Sequence, residues 1–199
     1  MATDLKGFWT GGLTNVKDPK RNFRFKVSFL GSGDTGSPLT DGGIWYAKSV
    51  TQPSITISES VHDFMMHKYY WPAKAEWNEV DMVLVDPVEP DSSANLLTIL
   101  DAAGFKIPAN AGTTEAFSSI SKAGSTAALG NILIQQLDAT GETNHEWTLV
   151  HAWAKEVSFS NLDYTSEDLM EINFKIRYDW AQFGTGPNGV LGTQTLFSV

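Results

Sequence analysis

Two stretches place glycines where a phosphate could be cradled: Gly31-Ser-Gly-Asp-Thr-Gly and Gly184-Thr-Gly-Pro-Asn-Gly both satisfy G-x-G-x-x-G. That pattern works by aiming a helix N-terminus at a pyrophosphate. Neither Ser37-Pro-Leu-Thr-Asp-Gly-Gly nor the Gly-rich C-terminus can begin a sustained helix, so both read as turns. Asp34-Thr-Gly matches the aspartic-protease triplet, whose paired carboxylates sit in a rigid apolar turn; here the flanks are Gly-Ser-Gly and Ser-Pro, which make a loop. The four histidines, His62, His67, His145 and His151, lack H-E-x-x-H spacing and predict no metal site. Glu76 and Glu79 with Trp71 and Trp77 offer two carboxylates and two stacking surfaces, the parts of a glycosidase. Aromatic core at a strand end is the simpler reading. Lys17, Lys20, Arg21, Arg24 and Lys26 crowd five cations into ten positions. In a chain of net charge −9 they read as a basic rim facing an acidic neighbour subunit, or as solvated strand faces, before a phosphate-binding patch. No catalytic site and no cofactor are expected.

The elements that carry these residues are strands. Phe23, Phe25, Val27 and Phe29 alternate with polar residues, as do Met170, Ile172, Phe174, Ile176, Tyr178 and Trp180 along an unusually long run. Ser54–Ser58, Val80–Val85, Asn131–Asp138 and Trp147–Phe159 read as further strands. Alternation of this kind belongs to antiparallel sheets with one wet face, so the expected class is mainly β, a barrel or sandwich with one short α-helix and long loops. The helix opens at Asp91 or Ser92, carries the stripe Leu96, Leu97, Leu100 and Ala103, and stops at Gly104. Gly31–Gly43 and Gly104–Gly130 read as surface loops or insertions. The segment 183–199 reads as a flexible C-terminal arm whose tip, Leu196, Phe197 and Val199, either docks elsewhere or forms an edge strand.

At 199 residues one domain, 1–199, is the expectation, and the absence of cysteine excludes disulfides and thiolate metal sites. No stretch approaches a membrane span and no basic-then-apolar leader opens the chain, which predicts a soluble protein assembled in the cytoplasm with no membrane partner. Residues 1–80 hold 9 basic against 8 acidic side chains and residues 81–199 hold 5 against 15. That asymmetry suits head-to-tail association and is equally compatible with a monomer. His62 to Tyr70 is different in kind. Phe64, Met65 and Met66 are consecutive apolar residues inside a polar stretch between two strands and cannot all face one core. Adaptable Met and aromatic groups at a loop tip suit a protein contact surface.

The order and spacing of several segments carry a resemblance. They are Asp18-Pro-Lys-Arg-Asn-Phe-Arg-Phe-Lys-Val, Lys48-Ser-Val-Thr-Gln-Pro-Ser, Tyr69-Tyr-Trp-Pro-Ala-Lys-Ala-Glu-Trp-Asn-Glu-Val, Leu84-Val-Asp-Pro-Val-Glu-Pro-Asp, Ala152-Trp-Ala-Lys-Glu-Val-Ser-Phe-Ser and Glu171-Ile-Asn-Phe-Lys-Ile-Arg-Tyr-Asp-Trp. Over most of residues 17–180 the chain resembles the tail tube proteins of contractile-tailed, T-even-type bacteriophages. The resemblance implies a structural virion protein: hexameric rings of this chain stack into a tube through which the genome is ejected, with sheath, baseplate and tail terminator proteins as partners and DNA passing without tight binding. The inner tube of a type VI secretion or extracellular contractile injection system, a baseplate tube initiator, a carbohydrate-binding β-sandwich and a small β-rich hydrolase are the alternatives.

Two expectations join the residues to that reading. Trp147–Phe159 and Leu169–Trp180 should pair as a hairpin across Asn161–Ser166, burying Trp147, Leu149, Trp153, Val157 and Phe159 and leaving Glu156, Glu171, Asn173, Lys175, Arg177 and Asp179 to line the lumen. Phe64, Met65 and Met66 should reach an adjacent ring.

Overall fold

The computed structural model describes residues 19–30, 47–89, 91–106, 119–165 and 167–185. Among these described residues ten strands and two helices follow in the order β1 (Phe25–Leu30), β2 (Ala47–Val50), β3 (Ile55–Phe64), β4 (His67–Trp77), β5 (Val80–Val85), α1 (Ser92–Ala102), α2 (Lys122–Leu129), β6 (Asn131–Leu137), β7 (Thr143–Val150), β8 (Trp153–Phe159), β9 (Glu171–Arg177) and β10 (Trp180–Thr185). They form one four-stranded sheet in the order β1-β6-β7-β10, a second in the order β2-β5-β9-β8, and a separate two-stranded hairpin, β3-β4. Every pairing is antiparallel, as the alternating sequence requires.

One core joins the inner faces of both sheets. Val27, Phe29, Ile132, Ile134 and Leu149 come from the first sheet and Val80, Met82, Leu84, Ile172, Phe174 and Ile176 from the second. Each such side chain contributes about 1.5–3 kcal/mol on leaving water. The expected mainly-β sandwich is the observed fold.

The expected hairpin across Asn161–Ser166 exists, with β8 against β9 from Trp153↔Arg177 to Phe159↔Ile172. Neither arm is one strand. The first breaks at His151, which takes a left-handed φ of 55°, and Ala152, which is fully buried; the second breaks at Tyr178 and Asp179. Beyond the break the same two chain segments pair again as β7 and β10, with Trp180 opposite Val150, in the other sheet. The long hairpin therefore turns a corner and closes one end of the sandwich, the usual way a strand changes sheets.

That corner and one bulge correct the expected burial. β8 carries an extra residue between Ala154 and Glu156, so the alternation flips there. Ala154 and Val157 face the core, whereas Trp153 lies opposite Arg177 on the other face. Phe159 pairs with buried Ile172 but sits at the end of an edge strand and stays 44% exposed. Met170, just before β9, and Trp180, just past the corner, are likewise exposed, which shortens the buried run to Ile172–Tyr178.

α1 begins as expected: the Asp91 carboxylate accepts from the Ala94 amide at 2.9 Å, and Asp86 accepts from the Ser92 and Ser93 amides. Leu96 and Ile99 are its buried face, while Leu97 points outward. Gly104 has φ +107°, and a Cβ there would lie 2.7 Å from the Ser119 carbonyl oxygen, so only glycine fits this stop. A second helix was not expected. Within Gly104–Gly130, read as loop, residues 122–129 are helical: the Ser121 hydroxyl caps the Gly124 amide at 3.0 Å, Leu129 is buried and Gly130 closes the end at φ 72°. Gly31–Gly43 and all of the C-terminal arm after Thr185 lie outside the described residues.

Candidate assembly surfaces: the projecting hairpin and the charged sheet face

The β3–β4 hairpin is longer than the sequence suggested. Strand pairing runs through most of His62–Tyr70, so that the turn is only Met65 and Met66, with Met65 at φ 55°. Its base is tied down. The Asn78 amide N–H donates to the Ser54 carbonyl at 2.9 Å, and the Asn78 side chain donates to the Ser54 and Thr56 hydroxyls, each at 2.9 Å. Trp77 packs on the core beside Tyr178, with ring centres 5.9 Å apart.

Beyond that base every residue from Ile55 to Glu76 is exposed. The register divides them between two faces, because residues opposite one another share a face. Ile55, Ile57 and Val61 lie with Trp77, Ala75 and Tyr70 on one side; Ser60, His62 and Phe64 lie with Trp71, Tyr69 and His67 on the other. β4 has one extra residue opposite Ser58, whose hydroxyl donates to the Lys74 carbonyl (3.0 Å) and accepts from its amide (3.1 Å). Pro72, which cannot donate to a ladder, is tolerated in this edge-on-both-sides ribbon. A two-stranded ribbon in water is marginal, and this one shows apolar groups on both faces up to Phe64 and two more in its turn, Met65 and Met66. An exposed apolar surface of this kind suits a protein contact.

The outer face of the second sheet is charged instead. The register places Glu171, Asn173, Lys175 and Arg177 of β9 on the side opposite Ile172, Phe174 and Ile176, with Glu156 of β8 opposite Lys175. Lys175 donates to Glu156 at 2.8 Å, Arg177 to Glu76 at 2.7 Å, with Glu79 3.7 Å from Arg177; Lys155 pairs with Glu79 and Lys48 with Glu171. The bond from Lys155 holds the Glu79 carboxyl below its ordinary range, and the bonds they donate to Glu156 and Glu171 hold Lys175 and Lys48 above theirs. Exposed pairs of this kind contribute little to stability. Their main effect is on the field: each cation on this face has a carboxylate from its own chain beside it.

Asp179 is the one expected lumen residue that leaves the β9 strand. At the corner it accepts from both Lys122 of α2, at 2.8 and 2.7 Å, and His151 Nδ1, at 3.0 Å. The Lys122 bond chiefly lowers its carboxyl. His151 also stacks edge-on against Trp180, ring centres 5.1 Å apart. Beside this clasp a cavity of about 570 Å³ opens between the hairpin base and α2, lined by Trp77, Ile120, Lys122, Trp153, Arg177 and Tyr178. Burial pushes the Tyr178 phenol up to about 12.

The remaining candidates for chemistry are dispersed. Glu79 is held in the ionised direction, opposite to what a general acid needs, and Trp71 and Trp77 lie on opposite faces of the hairpin. Among the described residues no group of three or more His, Asp and Glu side chains could hold a metal ion. His145 is buried among the strands at the far end of the sandwich, where burial and then the Lys20 charge keep its pKa low; Lys20 donates to its Nδ1 at 2.9 Å. Arg24 stacks over Phe23, 5.4 Å from the ring centre. Lys17 and Gly31–Gly36 lie outside the described residues, as does most of Gly184–Gly189.

No protein-family profile and no curated protein sequence matches the chain. Solved structures do. A chain from the cap that terminates the tube of the anti-feeding prophage superposes with a TM-score of 0.61 at 15% identity, over 89% of this chain and 98% of that one. A chain from the six-fold symmetrised baseplate of the same particle gives 0.60 at 14% identity, over 84% and 97%. A chain from the sheath/tube terminator of an extracellular contractile injection system, in its extended state, gives 0.60 at 16% identity, over 86% and 100%. At such identities the likeness is one of fold, shared across nearly the whole of each chain.

Proposed function

We propose that the chain is a structural subunit of a contractile tail, whose copies close into hexameric rings and stack into the inner tube. The observation that carries this reading is the β3–β4 hairpin, which stands out of a complete sandwich with apolar residues on both faces and at its tip. The shared fold with chains from a baseplate, a tube-terminating cap and a sheath/tube terminator supports it. A ring needs interfaces that close by rotation and a tube needs a second interface along its axis. For the first the sandwich offers sheet edges with which no other described strand pairs, and the hairpin tip, Phe64, Met65 and Met66, suits the second.

In this reading the charged face of the second sheet turns to the bore, with Glu156, Glu171, Asn173, Lys175 and Arg177 along it and Asp179 at its corner. A conduit should not grip what it conducts. The pairing of Lys175 with Glu156 and of Arg177 with Glu76 leaves little unopposed positive charge, and the −9 of each copy repels phosphate. The subunit therefore has no catalytic role. It passes DNA without binding it, and its partners are its own copies, the sheath, the baseplate and a terminator, in the tail of a virion assembled in the host cytoplasm. A second reading, the inner tube or tube end of an extracellular contractile injection system, is favoured by the origin of the similar structures. Negative-stain microscopy and sizing of the purified chain test the proposal: tubes are expected, isolated rings identify a tube-end piece, and a monomer at all concentrations overturns both readings.

A further inference from the structure

We propose that Met65 and Met66 form an oxidation site at the hairpin tip, so that the chain polymerises only while both thioethers are reduced. The inference rests on the reading of that tip as a contact between copies. Met65 is 89% exposed and Met66 95%, whereas Met170 is 38% exposed and Met82, in the core, 1%. The chain contains no cysteine, so no thiol of its own consumes an oxidant first. Met65 and Met66 are the turn itself, and the cross-strand pair Phe64↔His67 is the last beneath them. Nothing among the described residues covers either sulfur.

The oxidant is a hydroperoxide. A thioether lone pair attacks one peroxide oxygen, the O–O bond breaks, and the departing oxygen takes up the proton to leave as water or an alcohol. Sulfur gives up two electrons and becomes a sulfoxide; the peroxide gains them. The product is polar and chiral where the tip had been apolar and adaptable. Burying its oxygen against another copy without a donor weakens the contact by about tenfold or more per residue. Once tubes have formed, the same burial shields both sulfurs, so the sensitive species is the unassembled subunit.

The test treats the full unassembled chain with dilute hydrogen peroxide, maps sulfoxides by peptide mass spectrometry and follows tube growth by light scattering and microscopy. Met65 and Met66 should oxidise first, Met170 more slowly and Met82 last. Growth should fall about tenfold or more and return after treatment with the two methionine sulfoxide reductases. In tubes formed beforehand, Met65 and Met66 should be protected while Met170 reacts at its former rate. Undiminished growth with both tip residues oxidised overturns the inference and leaves the tube reading intact. Loss of peroxide sensitivity in Met170→Leu also overturns it, by moving the effect to another residue. Failure of the untreated chain to assemble overturns the contact itself, and this inference with it.

Discussion

β9 and the β3–β4 hairpin are built from similar residues and meet opposite fates. In β9, Ile172, Phe174 and Ile176 alternate with Glu171, Asn173, Lys175 and Arg177, and the apolar set is buried against the other sheet. In the hairpin, Ile55, Ile57 and Val61 share a face with Tyr70, and all remain exposed. Alternation makes a strand in both cases; what differs is the presence of a second layer. The sandwich completes itself within one chain, whereas the hairpin presents a half-built layer, which the proposed tube would complete with another copy. The proposal thus divides folding and assembly between two regions, and substitutions in each should separate them.

The largest expected effect is in the core. Phe174→Ala removes a buried ring and should cost about 3–5 kcal/mol of unfolding free energy, read from a urea midpoint. Changing Phe64, Met65 and Met66 together to Ser should shift that midpoint by no more than about 0.5 kcal/mol, yet abolish tube growth in negative stain. Equal destabilisation by the two variants would erase the distinction.

The corner comes next. Asp179 is held below the ordinary carboxylate range chiefly by Lys122. The stability it contributes is present above the unfolded carboxylate pKa, about 3.9, and is lost as pH falls through the lower folded value. Asp179→Asn should therefore flatten the decline of stability with acid below about pH 4 and leave that decline's onset at higher pH unchanged. A steeper decline in the variant would remove the clasp from the account.

The smallest effect is expected on the charged face. Lys175→Gln with Arg177→Gln should leave the urea midpoint nearly unchanged. Assembled tubes of the unaltered chain should bind duplex DNA weakly or not at all at physiological salt. A salt-sensitive submicromolar affinity lost in that variant would show that the bore grips phosphate after all.

Much of the sandwich was legible because its strands have one wet face. The buried set Ile172–Tyr178 and the β8–β9 hairpin follow from the alternation alone. What escaped was local. The bulge beside Lys155 turns Trp153 away from the core, and no residue type announces it. The corner at His151 has no glycine or proline to mark it. α2 did carry signals, Ser121 to start it and Gly130 to stop it around an Ala-rich turn, but its weak apolar stripe hid them. The hairpin reads short in the sequence because Ser58, Glu59 and Ser60 interrupt the apolar pattern in a ribbon that has no core of its own to face. Phe64, Met65 and Met66 stood out for the complementary reason: three adjacent apolar residues have no place in a period-two strand.

A cryo-EM structure of the assembled particle tests the central claim most directly. Rings in which Phe64, Met65 and Met66 are buried against a second copy of the chain are expected; ordered rings with that hairpin tip in solvent would contradict the assignment of the tip as a contact.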